Sequence, residues 1–169
     1  TSPAQVDLLA NSTDPDASDD IDTDSVVVTL TSGTWAPALD YSIDNETGVL
    51  SFDPNQFNGL GANEQLVYSV AYNVVDGNGG TTPTTAEITI TGSNDLPVGV
   101  DDDNLTDENS PLIINPLAND LDDDLSDTLV VSSVEGTAIS PGTSVPLASG
   151  AIVTMTPDGT LTCDPAGQF

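Results

Sequence analysis

The chain contains no lysine, arginine or histidine, against 28 aspartates and glutamates, so its 169 residues carry a formal net charge of −28. A surface of that sign repels nucleic-acid phosphates and anionic membranes, which leaves DNA, RNA and lipid headgroups as poor partners. Catalysis loses its commonest bases, its Schiff-base nucleophile and its cationic oxyanion clamps. Paired carboxylates of the glycosidase kind need a cleft with an apolar wall. Nothing in the pattern predicts one, and the chain reads as non-enzymatic. Apolar runs are short as well, and none reaches the roughly eighteen residues of a membrane-spanning helix. The single cysteine, Cys163, has no partner for an internal disulfide, and its alternating position in "GTLTCDP" assigns it to packing.

What remains is enough to fold. Hydrophobic residues make up 37% of the chain, and several segments alternate with period two. In "LVYSVAYNVV" at 66–75, Leu66, Tyr68, Val70, Tyr72 and Val74 share one face of a strand. After "DGNGG" at 76–80, "AEITIT" at 86–91 turns Ala86, Ile88 and Ile90 inward and Glu87, Thr89 and Thr91 outward. The two runs predict a β-hairpin. No segment keeps a helical period over three turns, so the expected architecture is an all-β sandwich with Greek-key connections.

The chain also repeats itself. "SPAQVDLLANSTDPDAS" at 2–18 aligns with "SPLIINPLANDLDDDLS" at 110–126, placing Pro3 on Pro111 and Asp14 on Asp122. "SVVVTL" at 25–30 then answers "TLVVSSV" at 128–134, and "TGVLSFDPNQF" at 47–57 answers "DGTLTCDPAGQF" at 158–169. Three pairs of blocks in one order establish a repeat of about 110 residues. Residues 1–95 are expected to form one repeat lacking its opening strand, and 96–169 the N-terminal part of a second. A half-finished sandwich exposes a sheet edge, so the rest of a longer chain, or a neighbouring chain, is expected to complete it.

The acidic residues cluster in loops. In "ANDLDDDLSD" at 118–127, Asp120, Asp122 and Asp124 alternate, and a bent loop can aim them at one point. Like charges at 4 Å cost roughly 4 kcal/mol per pair at an effective dielectric near 20, so convergence needs protonation or a cation. Calcium accepts six to eight oxygens in a loose geometry, which suits Asp, Asn and backbone carbonyls better than it suits the tight octahedron of magnesium. The competing reading is a solvated acidic surface adapted to a salty habitat. The distribution favours calcium, because "SVVVTLTSGTWAPAL" at 25–39 has no acid at all.

Taken in order, "YSIDNETGVLSFDPNQF" at 41–57, "VAYNVVDGNGG" at 70–80, "ITITGSNDLPV" at 88–98, "DENSP" at 107–111 and "LANDLD" at 117–122 resemble the cadherin superfamily. The likeness is nearest to the cadherin-like tandem repeats of large bacterial surface proteins and RTX-type adhesins. That resemblance implies seven-stranded sandwiches joined end to end, with calcium making each junction rigid. It places Asn94 and Asp95 on the linker "ND" that binds calcium, and Asp120 and Asp122 on the DxD loop of the following domain, which Asp124 extends. In the first copy the DxD loop falls on Ser12 and Asp14, with Asp16 beyond, so one ligand is missing. Asp76 and Asn78 resemble the hairpin ligand of that upstream site, and Glu108 the acid of the opening strand. Two departures stand out: position 92 is Gly where the family usually has Asp, and "FDPN" replaces "LDRE", which makes Asp53 a weak candidate. "VDDDN" at 100–104, with Asp101, occurs in the bacterial repeats and reads equally well as a charged strand edge.

The resemblance makes the chain an extracellular, calcium-stiffened spacer of a surface adhesin or filament. Its partners would be neighbouring repeats and identical chains in a fibre. The alternative is a calcium-dependent carbohydrate-binding module using Trp35 and Tyr41 as stacking rings, with surface glycans as partners. One isolated aromatic makes a poor platform, however, and Trp35 reads better as a cap on the sandwich core. N-x-S/T sequons at Asn11, Asn45 and Asn104 offer sites for a glycan on this chain.

Overall fold

The computed structural model describes residues 2–13, 20–33 and 38–165, and it is all-β apart from one short 3-10 turn. Two compact units divide it: Thr1–Asp95 with Asp124–Ser126, and Leu96–Asp123 with Asp127–Phe169. Asp14, Asp16 and Trp35 lie outside the described residues.

Unit 1 holds two three-stranded sheets. Strands β1 (Ala4–Asp7), β4 (Val49–Phe52) and β3 (Tyr41–Asp44) form the first in the order β1-β4-β3, and β2 (Asp20–Ser32), β5 (Gln65–Val75) and β6 (Thr81–Thr91) the second in the order β2-β5-β6. The chain changes sheet between β1 and β2, β2 and β3, and β4 and β5, which is Greek-key connectivity. Alternation on β5 does what it predicts: Leu66, Tyr68, Val70 and Tyr72 are buried, and Val74 packs beside them. Leu50 and Phe52 of β4 and Ile88 of β6 meet them from either sheet, so one core sits between the layers. Phe57, on the 3-10 turn Pro54–Phe57, stands edge-on to Phe52 at 6.0 Å and tilts against Tyr68 at 6.1 Å. Burying each of these large side chains contributes about 1.5–3 kcal/mol.

The β5–β6 turn is built by one carboxylate. Asp76 Oδ1 accepts the N–H groups of Asn78 and Gly80, both at 2.8 Å, while Gly77 and Gly79 take φ of 70° and 102°, where a side chain would be strained. β6 begins at Thr81, five residues ahead of the alternating run. Pro83 is tolerated there because β6 is an edge strand, whose outward N–H positions need no ladder partner.

Unit 2 has a four-stranded sheet in the order β10-β11-β12-β7, made by β7 (Leu112–Ile114), β10 (Ser144–Pro146), β11 (Ile152–Met155) and β12 (Leu161–Asp164). A two-residue pair, β8 (Ser133–Val134) and β9 (Thr137–Ala138), stands apart from it. The repeat is visible in the pairing. β1 sets Ala4, Gln5 and Val6 against Phe52, Ser51 and Leu50, and β7 sets Leu112, Ile113 and Ile114 against Cys163, Thr162 and Leu161. These are the positions that the sequence alignment superimposes. The core of unit 2 is smaller, with Ile139, Val145, Val153, Met155 and Leu161 buried, and Cys163 packs against it half-buried, as its alternating position requires.

Candidate functional site

The acidic residues divide by how their charge is supported. Four aspartates close turns, Asp76 half-buried and the other three exposed: Asp44, Asp76, Asp107 and Asp158 each accept hydrogen bonds from residues two to four positions ahead or from a flanking threonine. Those donors favour the ionised form and hold all four carboxyls below the ordinary aspartate range. Asn78, the other hairpin candidate, is exposed, and its side-chain amide donates to the Asp76 carbonyl at 3.3 Å. Glu108 is exposed on the 107–110 turn, where Asn109 Nδ2 donates to its Oε1 at 3.3 Å. Asp53 caps the 3-10 turn by accepting the Asn55 N–H at 2.9 Å. Asp101 is exposed, and its carbonyl accepts from Asn119 Nδ2 at 3.4 Å.

Asp124 is different, being only 2% exposed. The chain reaches this burial through two links in unit 1: Asp124 Oδ2 accepts the Asp95 N–H at 2.8 Å, and the Leu125 N–H donates to the Gly59 carbonyl at 3.2 Å. Asp95 is half-buried, and Asn94 is exposed with its side-chain amide on the Asp95 carbonyl. A turn at Leu60–Glu64 supports the same end of the unit. Glu64 Oε2 accepts the Gly61 N–H at 2.9 Å, and the Glu64 carbonyl accepts the Gly92 N–H at 2.8 Å. A Cβ on Gly92 would stand 2.3 Å from both the Leu60 and Gly61 carbonyl oxygens, so no side chain fits there. That explains the glycine where the resemblance would put a ligand aspartate. Sequence reasoning passed over Glu64 and Gly61; "GLGANE" at 59–64 was the available signal.

In unit 2, Asp120 and Asp122 are half-buried. Asp120 Oδ1 accepts the Val100 N–H at 2.7 Å beside a two-way backbone bridge between Val98 and Leu121, at 2.8 and 3.1 Å. The bridge orders the stretch that carries the DxD pair. The donors are carboxylate, amide and carbonyl oxygens throughout, which is the class calcium takes. Among the described residues, however, no three Asp, Glu, His or Cys side chains gather closely enough to hold a metal ion. The donor chemistry fits calcium, and the carboxylates are not already assembled around one point.

Of the two aromatics considered for sugar stacking, Tyr41 packs half-buried against the core of unit 1. It lines an open groove of about 640 Å3 with Asp40, Asp53, Asn55 and Gln56. Gln56 is tied in place there, accepting the Asp40 N–H at 2.9 Å and donating to the Asp40 and Asp53 carbonyls. Asn11, Asn45 and Asn104 are all exposed. No helix among the described residues is long and apolar enough to cross a membrane.

No curated protein matches the chain. A family model described as bacterial Ig domain matches it twice, over residues 1–91 and 94–169. Two sandwich-type units with one strand register, each covered by its own match, lead to one conclusion: the chain belongs to the bacterial Ig domain family and carries it in tandem.

Proposed function

We propose that the chain is part of an extracellular spacer of a large bacterial surface adhesin or filament, built from cadherin-like repeats and stiffened by calcium. The tandem repetition carries this reading: the same pairing register recurs in both units, so each added unit extends reach without new chemistry. The spacer role is mechanical, and no catalytic step is assigned to it. Calcium would be held by Asn94, Asp95 and Asp124, and by Asp120 and Asp122, with Glu108, Asp76, Asn78, Asp14 and Asp16 as outlying donors. Two features support the ion. Asp124 is a buried carboxylate in a chain that has no basic side chain to set against it. Burying such a charge is costly, and a hard cation from solvent offsets it. The ion would also draw together carboxylates that otherwise repel. Partners are then neighbouring repeats and identical chains side by side.

Calcium titration by calorimetry tests the reading, on the whole chain and on Asp122→Ala and Asp124→Asn variants. Saturable binding with a Kd of roughly 0.1–1 mM is expected, as for other extracellular calcium modules, and each substitution should weaken it. Calcium at tenfold to a hundredfold above Kd should stabilise by about 1.4–2.7 kcal/mol per site. Absence of saturable binding at low salt would leave a salt-adapted acidic sandwich instead. A calcium-dependent carbohydrate-binding module is the second reading, supported by the open groove beside Tyr41, where an aromatic ring stands among amide and carboxylate side chains. A glycan array run with and without calcium separates the two.

A further inference from the structure

Asparagine is followed by glycine twice in the chain, at Asn58–Gly59 and at Asn78–Gly79. A glycine there leaves its main-chain nitrogen unshielded by a Cβ and free to rotate, so that nitrogen can attack the preceding side-chain amide and close a succinimide ring. Both asparagines are exposed, and access to water does not separate them. Their backbones do. Asn58 ends the 3-10 turn at φ −56° and ψ −21°, and its N–H donates to the Asn55 carbonyl at 3.3 Å. On either side Phe57 and Leu60 are buried, the Leu60 N–H donates to the Phe57 carbonyl at 3.0 Å, and the Gly59 carbonyl accepts the Leu125 N–H at 3.2 Å. Ring closure needs the Asn58–Gly59 peptide to turn, which would pull those side chains from the core. Asn78 instead sits at the tip of the β5–β6 hairpin, between Gly77 and Gly79 at positive φ. One carboxylate restrains it: Asp76 Oδ1 accepts the N–H groups of Asn78 and Gly80, and the Asp76 N–H donates to the Gly80 carbonyl at 3.3 Å. A Cβ at Gly79 would meet nothing within 4 Å, so the peptide has room to turn once that clamp opens.

We propose that Asn78–Gly79 is a self-modification site, converted to aspartyl and isoaspartyl forms at a rate set by the Asp76 clamp. The Gly79 nitrogen gives its proton to solvent and bonds to Asn78 Cγ; the Cγ–Nδ2 bond breaks, and Nδ2 leaves as ammonia. Water then opens the ring at either carbonyl, so the net change is one water consumed and one ammonia released. Either product sets a second carboxylate beside Asp76, in a chain with no basic side chain to offset it. The isoaspartyl form also lengthens the main chain between the two N–H groups that share Asp76 Oδ1, and the clamp no longer spans them. The hairpin then loosens with age from its Val75–Thr81 end.

Peptide mapping by mass spectrometry tests this on the full chain, held at neutral pH with a chelator so that no bound ion contributes, beside the same chain in urea. In the folded chain, acid at position 78 should appear at least about tenfold faster than at position 58, because the tip opens without opening the core. In urea the two rates should draw together, since the dipeptides are the same. Asp76→Ala should raise the folded rate at Asn78. Gly79→Ala should lower the rate by shielding the attacking nitrogen, in urea as well, where strain at that φ plays no part. Labelling with an isoaspartyl methyltransferase identifies the lengthened form. Equal rates at Asn58 and Asn78 in the folded chain would overturn the proposal, and so would a rate at Asn78 that Asp76→Ala leaves unchanged.

Discussion

The Tyr72 hydroxyl donates to the Leu8 carbonyl at 2.6 Å, joining residues 64 positions apart inside the core of unit 1. Leu8 leads out of β1 and Tyr72 stands on β5, so this bond fastens one sheet to the other. Tyr72→Phe keeps the ring and leaves a buried carbonyl short of its donor. We expect a loss of about 1–3 kcal/mol in urea unfolding, with the slope of the transition unchanged.

Alkali should find the same place. Burial raises the phenol of Tyr68, and burial followed by the nearby Asp7 charge raises that of Tyr72. A phenol whose folded pKa lies above its unfolded value contributes stability that is whole below the unfolded value. That contribution is lost as pH rises through the folded one. The three tyrosines, Tyr41, Tyr68 and Tyr72, all belong to unit 1. Unit 1 should therefore unfold first above the ordinary tyrosine range, with phenolate absorbance and loss of its amide signals rising together. Ionisation of Tyr68 and Tyr72 at the ordinary tyrosine value, without unfolding, would contradict this.

At Gly92 the constraint is steric. Gly92→Ala sets a methyl against two backbone oxygens that have no rotamer with which to move aside. Overpacking of this kind costs about 1–3 kcal/mol, and the loss should appear in the melting temperature of unit 1. Gly79→Ala is a useful contrast. A Cβ there meets nothing within 4 Å, and the cost comes only from the φ of 102°.

The acidic turns make a prediction of opposite sign to the tyrosines. Hydrogen bonds from Asn78 and Gly80 lower the Asp76 carboxyl, so what it contributes is present above the unfolded aspartate pKa and is lost as pH falls through the folded one. The amides of Asn78 and Gly80 should lose protection together in that acid window. Asp76→Asn should abolish this pH dependence while leaving the turn recognisable in the NMR spectrum.

Much of this was legible from residue order alone. The period-two run at 66–75 specified β5 and its buried face, and the three aligned pairs of blocks specified a pairing register that both units share. What escaped depended on neighbours. Thr81–Thr85 contains a proline and no apolar alternation, yet it continues β6 because β5 supplies a full-length template. "TLVVSSV" reads as strand and forms only two residues of one, because strand formation depends on the partner as well as on propensity. Asp124 reads as a calcium-ligand candidate extending the DxD loop, but nothing in the sequence points to its burial. Its burial follows from Gly59 and Asp95, residues far away in the chain that no local pattern connects to it.

The shared register also bears on how such genes change. Ala4–Val6 and Leu112–Ile114 meet their partner strands in the same register, and the outward position differs most in chemistry, polar Gln5 against aliphatic Ile113. A recombination event that misaligns the two copies by one period therefore joins halves that still fit. Whole repeats could then be gained or lost while each strand still meets a partner of the same register.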